Sequence, residues 1–384
     1  MRVVHICNLP LPPNHPDYAR ISRHPGRWAL DLACSQMRFT DHEVQCLVVV
    51  PKASEAFVTE IDGVRVHFMP TTRHLWRALT LMVPEAFRMA RYVNQHIRPD
   101  VVHAHGTEDS NLLIAQRTGH PYVVTVQGLY FIIASKIKIP LVSWPTIVRF
   151  TEHFSLRMAR FCIAKSDYVA TKMKKRYRKM EIFNIPNTYD DKLFKNRPDR
   201  KSHRLVFVGT VESRKGLDLI AEALPQVHSV YPDLSFSVVG NSSCPSQYEK
   251  DQLEKFKKIL GDAALFKGVL SHEDTIQEIA AAEVLVAPSR EEMFGNQLIE
   301  AVLSGTCPVV MEGTALAENV RRFGWGEIAE LEDPKDLAEK IITAFENLDA
   351  QEAEVAAKNI REWMGPKRVA EKHIELYEKV IRES

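Results

Sequence analysis

The stretch that decides the fold reads Val284-Leu285-Val286-Ala287-Pro288-Ser289-Arg290-Glu291-Glu292-Met293-Phe294-Gly295-Asn296-Gln297-Leu298-Ile299-Glu300-Ala301. Val284–Ala287 is a short apolar run closed by a proline, which reads as a buried strand. Beyond Gly295 the apolar residues recur at helical spacing, which predicts a helix over Gln297–Ser304. Strand, turn and helix in that order form the repeating unit of a parallel sheet covered by helices. Glu292 falls in the turn, and Glu300 falls in the second helical turn beside Ala301, Val302 and Leu303. A carboxylate on a largely apolar helix needs a partner, and a ribose diol is one. The N–H groups that open a helix favour anions, so Phe294, Gly295 and Asn296 suit a phosphate or a sugar hydroxyl. Two glutamates eight residues apart also fit capping, or pairing with a nearby lysine.

Outward from this stretch the pattern repeats. Strands are expected at Leu205–Val208, Leu234–Val239, Ala264–Lys267 and Pro308–Met311. Helices are expected at Leu217–His228, Tyr248–Leu260, Thr275–Ala282 and Pro334–Asn347. The first half holds strand candidates at Val3–Cys7, Val44–Val50, Val64–Phe68, Val101–His105 and Tyr122–Val126. Shorter ones lie at Tyr168–Ala170 and Glu181–Ile185, and helical stretches at Trp28–Gln36 and Leu75–His96. The polar segment Asn187–Ser202 is the best linker. The expectation is an α/β chain of two Rossmann-like, doubly wound domains, 1–196 and 197–365. Open parallel sheets bind ligands at their carboxyl edges, so a central cleft between the two is the expected site.

With 384 residues, 45% hydrophobic and 26% charged, the chain has the makeup of a two-domain globular protein and not of a disordered or fibrous one. Six cysteines without a Cys-x-x-Cys pair argue against a zinc or redox site and for a reducing compartment. Met1–Cys7 reads directly as a strand, and no apolar run is long enough to span a bilayer, so a cytoplasmic location is expected. The net charge of +1 conceals an asymmetry: Met1–Lys195 holds 27 basic and 16 acidic residues, the remainder 23 and 33. Between Tyr130 and Met180 there are twelve basic residues and two acidic ones. Such a face is either a solvated helix surface or an attraction for an anionic membrane surface or an anionic acceptor. No recognisable nucleic-acid motif surrounds the basic residues, so nucleic acid is not an expected partner.

A second loop carries chemistry. Val208-Gly209-Thr210-Val211-Glu212-Ser213-Arg214-Lys215-Gly216 follows the first strand of the second half and sets two cations beside a helix start. A plain strand–helix turn with exposed basic residues is the alternative.

Taken together these motifs resemble the GT-B glycosyltransferases of retaining family 4 (glycosyl transferases group 1). Glu292 to Glu300, with Phe294-Gly295 and Glu300-Ala301, is similar to that family's glutamate-x7-glutamate signature. The Val206–Asp218 segment resembles its phosphate loop. Val101–Gly106 and Val124–Gly128 resemble two acceptor-domain loops, and Pro186–Asp190 the segment before the linker. Gly313-Thr314 with Asn319-Val320 resembles the last donor loop.

The resemblance implies an N-terminal acceptor domain and a C-terminal donor domain for a nucleotide-diphosphate sugar, UDP- or GDP-linked. A helix at about 366–384 is expected to return to the first domain. Donor binding is expected from Gly209, Thr210, Arg214, Lys215, Glu292, Met293, Phe294, Gly295, Asn296, Gln297 and Glu300, with the base near Gly268–Leu270. Lys215 is a diphosphate ligand in this scheme, Glu292 a sugar and charge ligand, and Glu300 a ribose ligand. No Asp-x-Asp motif is present, so a metal-independent reaction without a cofactor is expected.

Two positions depart from the family. Thr210 stands where an arginine is usual, leaving Arg214 to compensate. Gln127 stands where many members carry histidine; glutamine binds a hydroxyl but cannot act as a base. His105 is a candidate replacement, with Glu108 and Asp109 behind it. The usual double-glycine loop is replaced by Asn8–Asp17, with Gly26 its only trace. The acceptor is expected to be a glycan or a lipid-linked hydroxyl compound. Lys136–Arg160, with Trp144, Ile147 and Phe150, is the candidate membrane-facing segment, at the inner face of the membrane. Surface polysaccharide or glycoconjugate synthesis is the expected setting. Two rival readings are a sugar-nucleotide 2-epimerase and a degenerate GT-B domain that serves another enzyme as a non-catalytic partner.

Overall fold

The computed structural model describes the chain apart from residues 13, 14, 16–26, 51–54, 72, 73, 108, 134–142, 196, 197 and 241–245. It divides into two compact units, Met1–Asp190 with Trp363–Ser384, and Asp191–Glu362. The sequence places these boundaries a few residues later, at 196 and 365.

The first unit is built on eight strands: β1 (Arg2–Cys7), β2 (Glu43–Val50), β3 (Phe57–Ile61), β4 (Val64–Pro70), β5 (Val101–His105), β6 (Tyr122–Thr125), β7 (Phe161–Ala164) and β8 (Glu181–Asn184). They are ordered β3-β4-β2-β1-β5-β6-β7-β8. All neighbours are parallel except β3 and β4. The order turns between β1 and β5, whose register sets His5 opposite His103. Strands β1 and β5 are buried almost throughout, as a doubly covered parallel sheet requires. The helix Pro366–Glu383 packs in this unit against the helix Trp28–Phe39. Its Val369, Tyr377 and Val380 belong to the same core as Val3, Leu30 and Val101. Its far end is tied by Lys379, which donates to Glu181 at 2.6 Å.

The second unit has β9 (Arg204–Val208), β10 (Ser235–Val239), β11 (Ala264–Gly268), β12 (Val284–Ala287), β13 (Cys307–Met311) and β14 (Glu327–Ala329). Their order, β11-β10-β9-β12-β13-β14, is all parallel and turns between β9 and β12. That reversal brings the loops after β9 and β12 side by side, the place where a doubly wound sheet receives ligand.

Local readings needed correction in five places. Tyr168–Ala170 is not a strand but part of the helix Asp167–Arg176, started by Ser166, whose hydroxyl accepts from the Val169 N–H at 3.2 Å. Strands β3, β7 and β14 were not expected. The first is a half-exposed edge strand that pairs antiparallel with β4 across Asp62-Gly63, a turn dipeptide favoured in hairpins. The other two, four and three residues long, are too short to show a period. Leu75–His96 is not one helix: Leu81 and Met82 adopt left-handed backbone (φ 50° and 62°) and split it into His74–Leu79 and Val83–Tyr92.

Five of the six cysteines are described, and all five are free thiols; Cys244 lies outside the described residues. Among the described residues no helix is long and apolar enough to cross a membrane.

Candidate active site

Both loops of the second unit are held by glycine close approaches. Gly216 has φ 76°, and a Cβ there would lie 2.1 Å from the Pro288 carbonyl oxygen, so the first loop lies directly on the end of β12. Gly295 has φ 85°, and a Cβ there would lie 2.1 Å from a Leu316 methyl. Arg290 ties the loops laterally. Its N–H donates to the Arg214 carbonyl at 2.8 Å. Its guanidinium grips Asp218 at 2.8 and 2.9 Å and Glu332 at 2.7 and 2.9 Å. From behind, Ala315 N–H donates to the Glu292 carbonyl at 3.1 Å. The buried Asn319 donates to the Phe294 carbonyl at 2.7 Å.

Lys215 and Glu292 meet at the centre of this frame. The lysine Nζ donates to Glu292 Oε2 at 2.6 Å, and both side chains are mostly shielded from water. Burial works against an ionised Glu292, but the charge of Lys215 and its hydrogen bond, followed by Arg214, outweigh it and hold the carboxyl at about 2. The other oxygen, Oε1, accepts from the Met293 N–H at 3.1 Å, and Gln297 Nε2 lies 3.5 Å from Oε2. Glu292 therefore stays an anion beside a cation at any physiological pH.

The other predicted donor residues lie around this pair. Gly209 donates its N–H to the Val239 carbonyl at 3.0 Å. The Thr210 hydroxyl donates to Glu212 at 2.7 Å. Arg214 donates to the Glu291 carbonyl at 3.1 Å and to Glu212 at 3.2 Å, so it braces the loops as well as facing Glu292. Gly295 precedes the helix Asn296–Ser304. Glu300, one turn beyond Gln297, pairs with His272 Nε2 at 2.8 Å. His272 opens the helix His272–Ala280, just after Gly268–Leu270, where the base was expected. Sequence reading missed His272 and the bracing role of Arg290. Arg290 sits inside the quoted stretch, but its partners lie 42 and 72 residues away.

In the first unit, His105 ends β5 and is buried. Its Nε2 lies 2.7 Å from His5 Nδ1. Gln127 follows β6, and its carboxamide oxygen accepts from Lys165, another residue not singled out from the sequence. Asp109 is bound by Arg77, which also donates to Glu85 at 3.0 Å. It belongs to a buried ion cluster that anchors the His74–Leu79 helix. Glu108, Gly26, residues 13, 14, 16 and 17 of the Asn8–Asp17 loop and residues 136–142 of the membrane segment lie outside the described residues.

A model described as "Glycosyl transferases group 1" matches residues 189–363, and one described as "Glycosyl transferase 4-like domain" matches residues 25–188. The architecture is that of GT-B glycosyltransferases. The sucrose-phosphate synthase structure from Thermosynechococcus elongatus superposes with a TM-score of 0.79 at 17% identity over 100% of both chains. Among curated proteins, a phosphatidylinositol N-acetylglucosaminyltransferase component of Arabidopsis thaliana is 22% identical over 78% of this chain and 67% of its own length. The phosphatidyl-myo-inositol mannosyltransferase of Mycobacterium tuberculosis is 30% identical over 47% of this chain. That match spans about half of the mycobacterial protein (49%). The chain belongs to the group 1 glycosyltransferases and is a glycosyltransferase enzyme.

Proposed function

We propose that this enzyme transfers a sugar from a UDP- or GDP-linked donor to a hydroxyl of a lipid-linked acceptor, with retention of anomeric configuration and without a metal. The observation that carries the reading is the shielded Lys215–Glu292 pair at the turning point of the second sheet. Breaking the bond between the sugar's anomeric carbon and the phosphate leaves positive charge on the sugar and negative charge on the departing diphosphate. Lys215, with the N-terminus of the helix Asn296–Ser304, meets the second charge. Glu292, fixed as an anion, meets the first and binds sugar hydroxyls. In front-face transfer the acceptor oxygen bonds to the carbon on the side the phosphate leaves, and the acceptor proton passes to a phosphate oxygen. Glu300 exchanges its His272 contact for the ribose diol. The acceptor class follows the names of two relatives, both directed to phosphatidylinositol.

Peripheral membrane attachment, on the cytoplasmic face, is part of the same reading. On the helix Trp144–Met158, Phe150, Phe154 and Met158 are 53, 51 and 57% exposed and fall four residues apart, making one apolar stripe. Arg149 and Arg157 flank it, and Lys174, Lys175 and Arg176 are also exposed. Apolar insertion beside basic residues suits an anionic bilayer.

The test is product analysis by anomeric proton NMR after incubation with UDP- and GDP-sugars and phosphatidylinositol micelles in EDTA. An α-linked product from an α-donor is expected. An inverted product, or a changed nucleotide sugar formed without acceptor, would refute the reading.

A further inference from the structure

The helix Trp144–Met158 has an inner face that the proposed reaction leaves unused. At about 100° per residue, Glu152 falls opposite the exposed stripe of Phe150, Phe154 and Met158, and it is 1% exposed. A buried carboxylate needs donors, and they reach it from two loops. Its Oε2 accepts from the Thr107 hydroxyl at 2.8 Å and from the Tyr130 N–H at 3.0 Å. Its Oε1 accepts from the Phe131 N–H at 3.2 Å. Thr107 stands two residues beyond β5, and Tyr130 and Phe131 open the short helix Tyr130–Ile133 after β6. The first N–H groups of a helix have no partner inside it, so the carboxylate completes that helix start. The Thr107 hydroxyl also lies 3.3 Å from the Gly128 carbonyl, so the two loops meet at this point.

The same helix touches the first of these loops a second time. Trp144 lies beneath the Arg77 guanidinium, 5.2 Å from the ring centre, and Arg77 binds Asp109. Near the far end, the Ser155 carbonyl accepts from Gln116 at 2.8 Å, and the Met158 carbonyl accepts from the Tyr122 hydroxyl at 3.1 Å. Gln116 belongs to the helix Asn111–Thr118, which continues from the first loop, and Tyr122 begins β6. The helix is thus fastened along its inner side to the elements that carry both loops, while its outer side presents apolar side chains. At a buried site water does not take over a lost hydrogen bond, so the loops and Glu152 move together or forfeit their contacts. A stripe held in a bilayer restrains the helix, and the restraint reaches the loops through this carboxylate.

We propose that Glu152 is a positioning residue that couples lipid contact on the outer face of this helix to the order of the loops after β5 and β6. Lipid contact favours the arrangement in which these hydrogen bonds are made. By linkage, whatever binds to the ordered loops strengthens lipid contact by the same factor. This rests on the glycosyltransferase reading and its membrane attachment, and adds a regulation of that site: an anionic bilayer raises the affinity for the acceptor and leaves the chemical step alone.

The test is amide hydrogen exchange of the full chain, resolved at Tyr130 and Phe131, with and without phosphatidylglycerol vesicles that contain no acceptor. KM and kcat for transfer to dibutanoyl phosphatidylinositol, a water-soluble acceptor, are measured under the same two conditions. In the wild type, vesicles should slow exchange at both amides about ten-fold, the scale of one buried hydrogen bond, and lower KM by a similar factor with kcat nearly unchanged. Glu152→Gln keeps the size of the side chain but sets an amino group against one of the N–H donors. It should float with vesicles as the wild type does and lose both responses. Thr107→Val, which removes one hydroxyl and keeps the shape, should lose most of the KM response and serves if Glu152→Gln does not fold. Wild-type protein that floats without slower exchange, or variants that respond as the wild type does, would overturn the coupling and leave Glu152 a brace. A wild type that does not float would remove the membrane attachment and the coupling with it. UDP and GDP titrations run in parallel keep the readings apart: nucleotide binding without a vesicle response sinks only the coupling, whereas absence of both nucleotide binding and transfer sinks the glycosyltransferase reading beneath it.

Discussion

Lys215 and Glu292 stand 77 residues apart in the chain and 2.6 Å apart in space. Both were legible as candidates, because each follows a strand beside a helix start. Their mutual contact was not, since it depends on β9 and β12 being neighbours. Removing only the charge is the informative change: Glu292→Gln keeps an oxygen for Lys215 but leaves developing positive charge unopposed. Transfer should fall roughly 100-fold or more, and the melting temperature should drop as well, because the shielded Lys215 loses its counter-charge; turnover close to wild type in a steady-state assay would displace the site. At Glu300 the expected loss is in binding. Glu300→Ala should raise the Kd for the nucleotide about ten-fold by calorimetry, with kcat at saturating donor far less affected. His272, the partner of Glu300, could not be found from the sequence. A lone histidine at a helix start carries no signal until β11 brings it alongside the helix that bears Glu300.

At the level of elements, most long strands and helices were read to within about three residues where the apolar period persists, and Val101–His105 and Val284–Ala287 to the residue. What failed was short, at an edge, or interrupted, as Leu75–His96 is by the left-handed Leu81 and Met82. β3 shows the half-exposed alternation of an edge strand, and its Asp62-Gly63 turn was the available signal. The two loops of the candidate active site approach each other most closely where Gly216 lies against the Pro288 carbonyl. Gly216→Ala places a methyl 2.1 Å from the Pro288 carbonyl in a left-handed conformation, so one loop must move. Nucleotide binding should be lost, and the thermal midpoint should drop by several degrees, equivalent to about 1–3 kcal/mol. Unaltered binding would mean that the loops do not form the site together. The Trp144–Met158 helix makes a separate prediction. Phe150→Ser with Phe154→Ser should release the enzyme from vesicles containing phosphatidylglycerol in a flotation assay, without altering its melting temperature. Equal flotation of both proteins, or none by the wild type, would remove the membrane from the account.

Across the whole molecule the charge split was legible in the sequence, but the buried histidine cluster of the first unit was not foreseen. Its members come from β1, β5 and the last helix, so no local window contains them. Burial lowers His5 and His373 to about 4, and His103 and His105 well below 6.5. These groups take up protons more readily unfolded than folded. Their contribution to stability is therefore complete above pH 6.5 and is lost as the pH falls toward 4. Each contributes a slope of about 1.4 kcal/mol per pH unit in that window. Calorimetric midpoints should fall steeply below about pH 6. A midpoint that stays level down to about pH 4.5 would show that the cluster titrates normally. Glu292 acts lower, stabilising above 4.5 and failing as the pH drops toward 2.

In the function proposed, Lys215 and Glu292 mark a nucleotide-sugar site that needs no metal. The most direct measurement is the thermal midpoint with UDP, GDP, ADP and TDP, each in magnesium and in EDTA, for the wild type and Lys215→Ala. One of UDP and GDP, at about 100 times its Kd, should add about 2.7 kcal/mol to the wild type. EDTA should leave that gain unchanged, and Lys215→Ala should lose most of it. No shift with any nucleotide, a shift that requires magnesium, or an equal shift in Lys215→Ala would contradict the account.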